Sequence, residues 1–233
     1  MTAHGLVVAI LCAAALLAQD ARYASSDVAD AAEALTGRRA HMGDEMKHLS
    51  GTRLTGRAIT LRIVRDDAAS STVEGLKVIR LMETAPRGSV IVATVEGDKA
   101  FAIFGATFAT LAKSRKLGGF VVDGTMRGLS EFKAMGVPMF ARGTVPGSAG
   151  GHYRLEAVNV PITCGGVEVR PGDLVVGDAD GVAIAPGARS TEILANATQL
   201  RNEKDALLPL IARYRSYTQA VEARKAQRKD KRE

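Results

Sequence analysis

The chain has 233 residues, 46% of them apolar and 4% aromatic, with 24 glycines, two cysteines and no tryptophan. That length and mix exclude a disordered chain and a nucleic-acid binder that stacks bases on rings; they suit one α/β core of Val, Ile, Leu and Ala. The formal charge of +6 does not imply nucleic acid, because the segment Arg224–Glu233 holds six basic and two acidic residues, or +4 of it, and reads as a solvated helix end.

Gly5 to Ala18 is an uncharged apolar run, too short for a membrane span of about 20 residues. With small residues at Ala18 and Ala21 it reads as a secretory h-region, and export is set ahead of the other reading, an Ala-rich helix packed on the domain. Ser25-Ser26-Asp27 before an Ala-rich periodic run, with Gly37 after it, predicts a capped helix. Thr55 to Val64 alternates as a half-buried strand does, Val73 to Thr84 has helical spacing, and Ser89 to Val95 is a buried strand. A helix is expected from about Ala102 to Lys113, a second buried strand over Gly119–Asp123, a short helix over Ser130–Met135 and a strand over Pro138–Ala141. Gly143 to Gly151 reads as an exposed loop, and Val158 to Pro186 as three short strands. Thr191 to Ala226 is helical, with a break expected at Pro209. The expected organisation is therefore a leader or N-terminal helix over 1–21, an α/β domain over 22–190 and a helical C-terminal extension over 191–233.

Cys164 has no histidine near it in sequence and reads as a core thiol, and no Cys/His cluster has zinc spacing. With Cys12 lying in the apolar run, no intrachain disulfide is expected once that run is removed. Asp178 and Asp180 lack the further ligands of a calcium loop and read as a hairpin turn. His41, His48 and His152 are isolated, and no Ser/His/Asp order stands out.

Three blocks carry a resemblance. They are Gly97-Asp98 with Phe104-Gly105-Ala106-Thr107; Gly118-Gly119 through Asp123-Gly124-Thr125-Met126-Arg127; and Phe140-Ala141-Arg142-Gly143, followed by Asn159-Val160-Pro161, Cys164-Gly165-Gly166, Arg170-Pro171-Gly172-Asp173 and Asp178 to Pro186. In order and spacing they resemble the RraA-like family, over about residues 25 to 186. That family includes regulators of RNase E and class II aldolases acting on 4-hydroxy-4-methyl-2-oxoglutarate or 4-carboxy-4-hydroxy-2-oxoadipate. The resemblance implies a swivelling β/β/α domain assembled into homotrimers or homohexamers, with sites at subunit interfaces. It also implies a divalent cation, Mg²⁺ or Mn²⁺, held by an Asp-x20-Arg-Asp motif. The cation chelates a 2-oxo acid, and the arginine stabilises the enolate as pyruvate is released. The same chemistry decarboxylates oxaloacetate.

Arg127 matches the motif arginine, but Ala106, twenty-one positions upstream, and Gly128 stand where the family has its acids. Neither offers a metal ligand, so none is expected at the motif; Asp123 reads first as a turn cap and second as a substitute ligand. Arg127 reads as a carboxylate clamp or an interface ion pair, and Gly105, Ala106 and Thr107 as a helix start whose N–H groups cradle the substrate carboxylate. Glu203 lies where the aldolases present a Glu to a neighbouring subunit, which makes it the expected proton relay. The expected function is a lyase on a small 2-oxo acid, weakened by the loss of both acids. The alternative is a non-catalytic oligomeric binding or regulatory protein of the ribonuclease-regulator type. Neither reading needs nucleic acid or a transmembrane span.

Overall fold

The computed structural model describes residues 23–96 and 98–230. The N-terminal run, Cys12 and Gly97 lie outside them. The described helices are α1 (Ser25–Thr36), α2 (Ser71–Thr84), α3 (Ala106–Arg115), α4 (Leu129–Met135), α5 (Ser190–Tyr214) and α6 (Tyr217–Asp230). The strands are β1 (Lys47–Ser50), β2 (Leu54–Arg65), β3 (Val90–Thr94), β4 (Gly119–Met126), β5 (Met139–Thr144), β6 (Tyr153–Val158), β7 (Ile162–Cys164), β8 (Val167–Val169), β9 (Leu174–Asp178) and β10 (Gly181–Ala185). None of the described helices is long and apolar enough to cross a membrane.

Eight strands form one mixed sheet in the order β1-β5-β4-β3-β2-β9-β10, with β6 also on β2. The central strands β2, β3, β4 and β5 run parallel, and α2, α3 and α4 are their crossovers. β2 is long enough to serve three partners: its start pairs with β9, its middle with β3 and its end with β6. Strand β3 is wholly buried, as its unbroken apolar run requires when both faces of the sheet are covered. On one face Ile91, Phe120, Phe132 and Met139 pack under the three crossover helices. On the other, Val90, Val92, Val121 and Phe140 pack under the β7–β8 hairpin and Met42. A third cluster joins α1 and α5 to β9 and β10 through Val28, Ala32, Leu174 and Ile193.

Several expectations shift for local reasons. The helix expected from Ala102 starts at Ala106, because Ala102 and Ile103 bond instead to Gly147 and Thr125. Four strands, not three, follow Val158: Gly165 and Gly166, with φ of 58° and 80°, make a two-residue turn that separates β7 from β8. α5 runs through Pro209, an exposed position, and ends at Arg215 in the left-handed region.

At α1 the glycine cap forms as expected, with the Gly37 N–H on the Glu33 carbonyl. The N-terminal cap comes from afar. Asp178, in the β9–β10 turn, accepts from the Ser25 N–H at 2.8 Å and its hydroxyl at 2.6 Å. Burial pushes the Asp178 carboxyl up, but Ser25, the Asp180 N–H and Arg53 outweigh this and hold it below the usual carboxylate range. Asp178→Ala is expected to cost about 1–2 kcal/mol in urea unfolding at neutral pH. A depressed carboxyl stabilises above its unfolded pKa, and that contribution is lost as pH falls through the folded value, so the gap from wild type should close in acid.

Candidate functional site

Residues 102–105 run beside the end of β4: the Ile103 N–H bonds to Thr125 and the Arg127 N–H to Phe104, at 2.9 and 3.0 Å. This pairing brings residues 22 and 23 positions apart into contact. Gly105 is the N-cap of α3 and has no side chain to cap it. The Phe108 and Ala109 N–H groups turn back to the Gly105 carbonyl. Among the described residues, the N–H groups of Ala106 and Thr107 have no protein partner, which is how a helix start offers itself to an anion.

Arg127 lies flat over this helix end. A Cβ at Gly105 would stand 3.1 Å from its Cγ and 3.2 Å from its Nε, so glycine is what lets the guanidinium approach. The side chain is exposed and donates one long bond, 3.4 Å, to the Pro146 carbonyl. It forms no ion pair among the described residues.

Gly128 follows with φ 71°, and a Cβ there would be 3.0 Å from the Ala106 nitrogen and 3.5 Å from the Ala106 Cβ. Positions 106, 127 and 128 therefore meet at one point. A fourth residue joins them: the Glu131 Oε2 lies 3.5 Å from that same Gly128 Cβ position. Gly105, Ala106, Thr107, Phe108, Arg127, Gly128 and Glu131 line an open cavity of about 310 Å³. The Ser130 hydroxyl, and then its own N–H, hold the Glu131 carboxyl below the usual range, so it is charged at neutral pH. Arg127 is shared with a smaller cavity of about 190 Å³ of mixed character, lined among others by Ile63, Glu74, Val78, Ile103, Arg154 and Leu155.

The other sequence candidates lie elsewhere. Asp123 is not in a turn but within β4, 5% exposed, because the strand continues to Met126. Its two carboxylate oxygens are engaged by the Arg142 guanidinium and, at 2.7 Å, by the Gly165 N–H, and it lines neither cavity at Arg127. Glu203 is ion-paired with Arg228 and Arg224 of α6 and lines neither cavity at Arg127. Cys164 is fully buried, and burial pushes its thiol up, as a core thiol requires. The histidines have local partners and do not converge: His41 bonds to Glu33, His48 stacks on Phe140, and His152 bonds to Asp67 and stacks on Phe101. Glu131, not among the sequence candidates, could have been found as the acid three positions after Gly128, in the first turn of α4.

A hard divalent ion is the group to test against these residues. Positions 106 and 128 carry no oxygen in their side chains, and Glu131 is the one carboxylate lining the cavity. No group of three or more His, Cys, Asp or Glu gathers among the described residues. One exposed carboxylate, with neither motif acid beside it, would leave Mg²⁺ or Mn²⁺ dependent on water and substrate for the rest of its shell, a poor fit for a resident ion.

Residues 25–184 match the sequence profile of the RraA-like family, Aldolase/RraA. The chain is 36% identical over 180 residues to a Halalkalibacterium halodurans protein provisionally named 4-hydroxy-4-methyl-2-oxoglutarate aldolase, covering 77% of this chain and 80% of that one. Among solved structures, it is similar to Streptomyces coelicolor RraAS2, described as an unusual member of the RNase ES inhibitor RraA protein family, with TM-score 0.71, 27% identity and coverage of 82% and 93%. It also shares the fold of an uncharacterized Pseudomonas syringae protein, with TM-score 0.78, 24% identity and coverage of 88% and 96%.

Proposed function

The chain belongs to the RraA-like family, and on that footing we propose that it is a slow lyase on a small 2-oxo acid, working with the substrate-orienting half of the family site. The observation that carries this reading is the meeting of an unpaired Arg127 with the open N-terminus of α3 around one cavity. The Ala106 and Thr107 N–H groups would take the substrate carboxylate, and Arg127 would face the 2-oxo oxygen, where negative charge develops as the carbon–carbon bond breaks. No step is routed through a metal, because the donor set does not fit one. The departing hydroxyl proton needs a base, and Glu131 is the carboxylate within the cavity. It takes the role first assigned to Glu203, whose carboxylate is engaged by α6. Assembly into a trimer or hexamer belongs to this proposal.

The test is pyruvate release from oxaloacetate and from 4-hydroxy-4-methyl-2-oxoglutarate, with Mg²⁺ or Mn²⁺ and with EDTA. Slow release above the free-metal background, persisting in EDTA, is expected. EDTA-sensitive turnover would instead make Glu131 a metal ligand. No release from a folded oligomer would leave the non-catalytic regulator reading ahead, which the two missing motif acids already favour.

Glu131→Gln is expected to lower kcat/KM at least about tenfold. The wild-type rate should fall in acid as Glu131 protonates, below the ordinary Glu range, since its carboxyl is depressed. That acid limb should vanish in the variant; a retained limb would assign the base elsewhere.

A further inference from the structure

We propose that a second, arginine-lined cavity binds a small ligand carrying contiguous phosphates. This cavity, about 980 Å³, lies between the end of α1, the β7–β8 hairpin and the turn at Pro186–Arg189, and shares no lining residue with either cavity at Arg127. Arg38, Arg39, Arg57, Arg170 and Arg189 line it, against two acids, Glu168 and Asp173.

The acids do not neutralise the arginines evenly. Glu168 pairs with Arg170 at 2.7 Å, and Arg189 is held by Glu192. Asp173 is spent on the backbone, accepting from the Arg170 and Gly187 N–H groups at 2.8 Å each. Glu33, on the neighbouring helix, is taken by the Ala40 N–H and His41. Arg38, Arg39 and Arg57 make no ion pair among the described residues, although Arg39 stands near enough to Glu33 to help hold that carboxyl down. Two of these three are also held in place. Half-buried Arg57 donates through one terminal nitrogen to the Gly172 carbonyl at 3.3 Å and the Ser190 hydroxyl at 3.0 Å, leaving the rest of its fork free. The Arg39 Nε is fixed on the His41 carbonyl at 2.9 Å.

Planar guanidinium forks match phosphate oxygens in pairs. A lone phosphate can accept from two guanidinium forks but fills little of this cavity, whose arginines stand on separate segments, Arg38 and Arg39 after α1 and Arg57 on β2; a di- or triphosphate reaches both. Gly166, Gly172 and Gly187 in the wall allow close approach. The volume falls at the upper end of ligand pockets, roughly 300–1,000 Å³, which favours a small molecule over a polymer.

Calorimetric titration of the full chain with sodium tripolyphosphate, ATP and citrate, at low and moderate salt, tests this. Tripolyphosphate and ATP should bind, citrate more weakly, and affinity should fall with salt. Equal affinities for tripolyphosphate and ATP would mark the polyphosphate as the feature read; tighter ATP would add the nucleoside. Arg38→Gln/Arg39→Gln, both on exposed positions, and separately Arg57→Gln, should each weaken binding about tenfold or more. The idea fails if neither anion binds, if the cavity variants bind unchanged, or if Lys225→Gln/Lys229→Gln in the basic tail removes the binding instead. Preference for a ribo-oligonucleotide over tripolyphosphate would overturn it too.

Discussion

Arg127→Ala is expected to reduce pyruvate release by about 10²- to 10³-fold, the usual loss when a preorganised donor to a developing oxyanion is removed, worth about 3–4 kcal/mol of barrier. Little else should change. The side chain is exposed and contributes one long hydrogen bond to Pro146, so thermal unfolding should move by no more than about 0.5 kcal/mol. Arg127→Lys should recover only part of the rate, because a point charge on a flexible stem cannot reproduce a fork laid flat over Gly105. Unchanged turnover in a folded Arg127→Ala protein would sink the proposed lyase site, and any activity would then lie elsewhere on the surface.

The second large effect should run the other way. Ala106→Asp with Gly128→Asp puts two carboxylates where the Cβ positions are 3.5 Å apart, beside Arg127. With Glu131 close by, three acids would then face one cavity, a donor set a hard cation accepts. We expect Mn²⁺ binding, measured by calorimetry, to appear in the double variant and metal-dependent pyruvate release to rise about 10²-fold or more. The gain carries a stability cost. Position 128 has φ 71°, which Asp tolerates better than most residues, yet its Cβ would press on the Ala106 nitrogen at 3.0 Å. A loss of about 1–2 kcal/mol is expected, to be read by urea unfolding. A folded double variant that binds Mn²⁺ but gains no rate would show that the missing acids are not what limits turnover.

How much of this was written in the chain can be judged residue by residue. The alternation of Thr55 to Val64 and the unbroken apolar run at Val90 to Thr94 report burial on one face or two, so β2 and β3 were legible from local pattern. Gly37 as a helix stop was legible because only its own conformation decides it. The α3 start was misplaced by four residues, since Ala102 and Ile103 are apolar enough for a helix and are drawn out of it by strand-like bonds to residues far along the chain. The strand β6 alternates weakly, and its pairing with β2 is what makes it a strand.

The candidate site divides along the same line. Arg127 and the Gly105 helix start were readable as a motif with both of its acids missing, because identity and spacing are properties of the sequence. That Asp123 would be taken by Arg142, that Glu203 would pair with α6, and that Ala106 would lie against Gly128 depend on which segments lie against each other. Local composition settles which backbone shapes and burial patterns are affordable. The charge partners of a carboxylate are set by long-range packing, which here pairs Asp123 with Arg142 and Glu203 with α6.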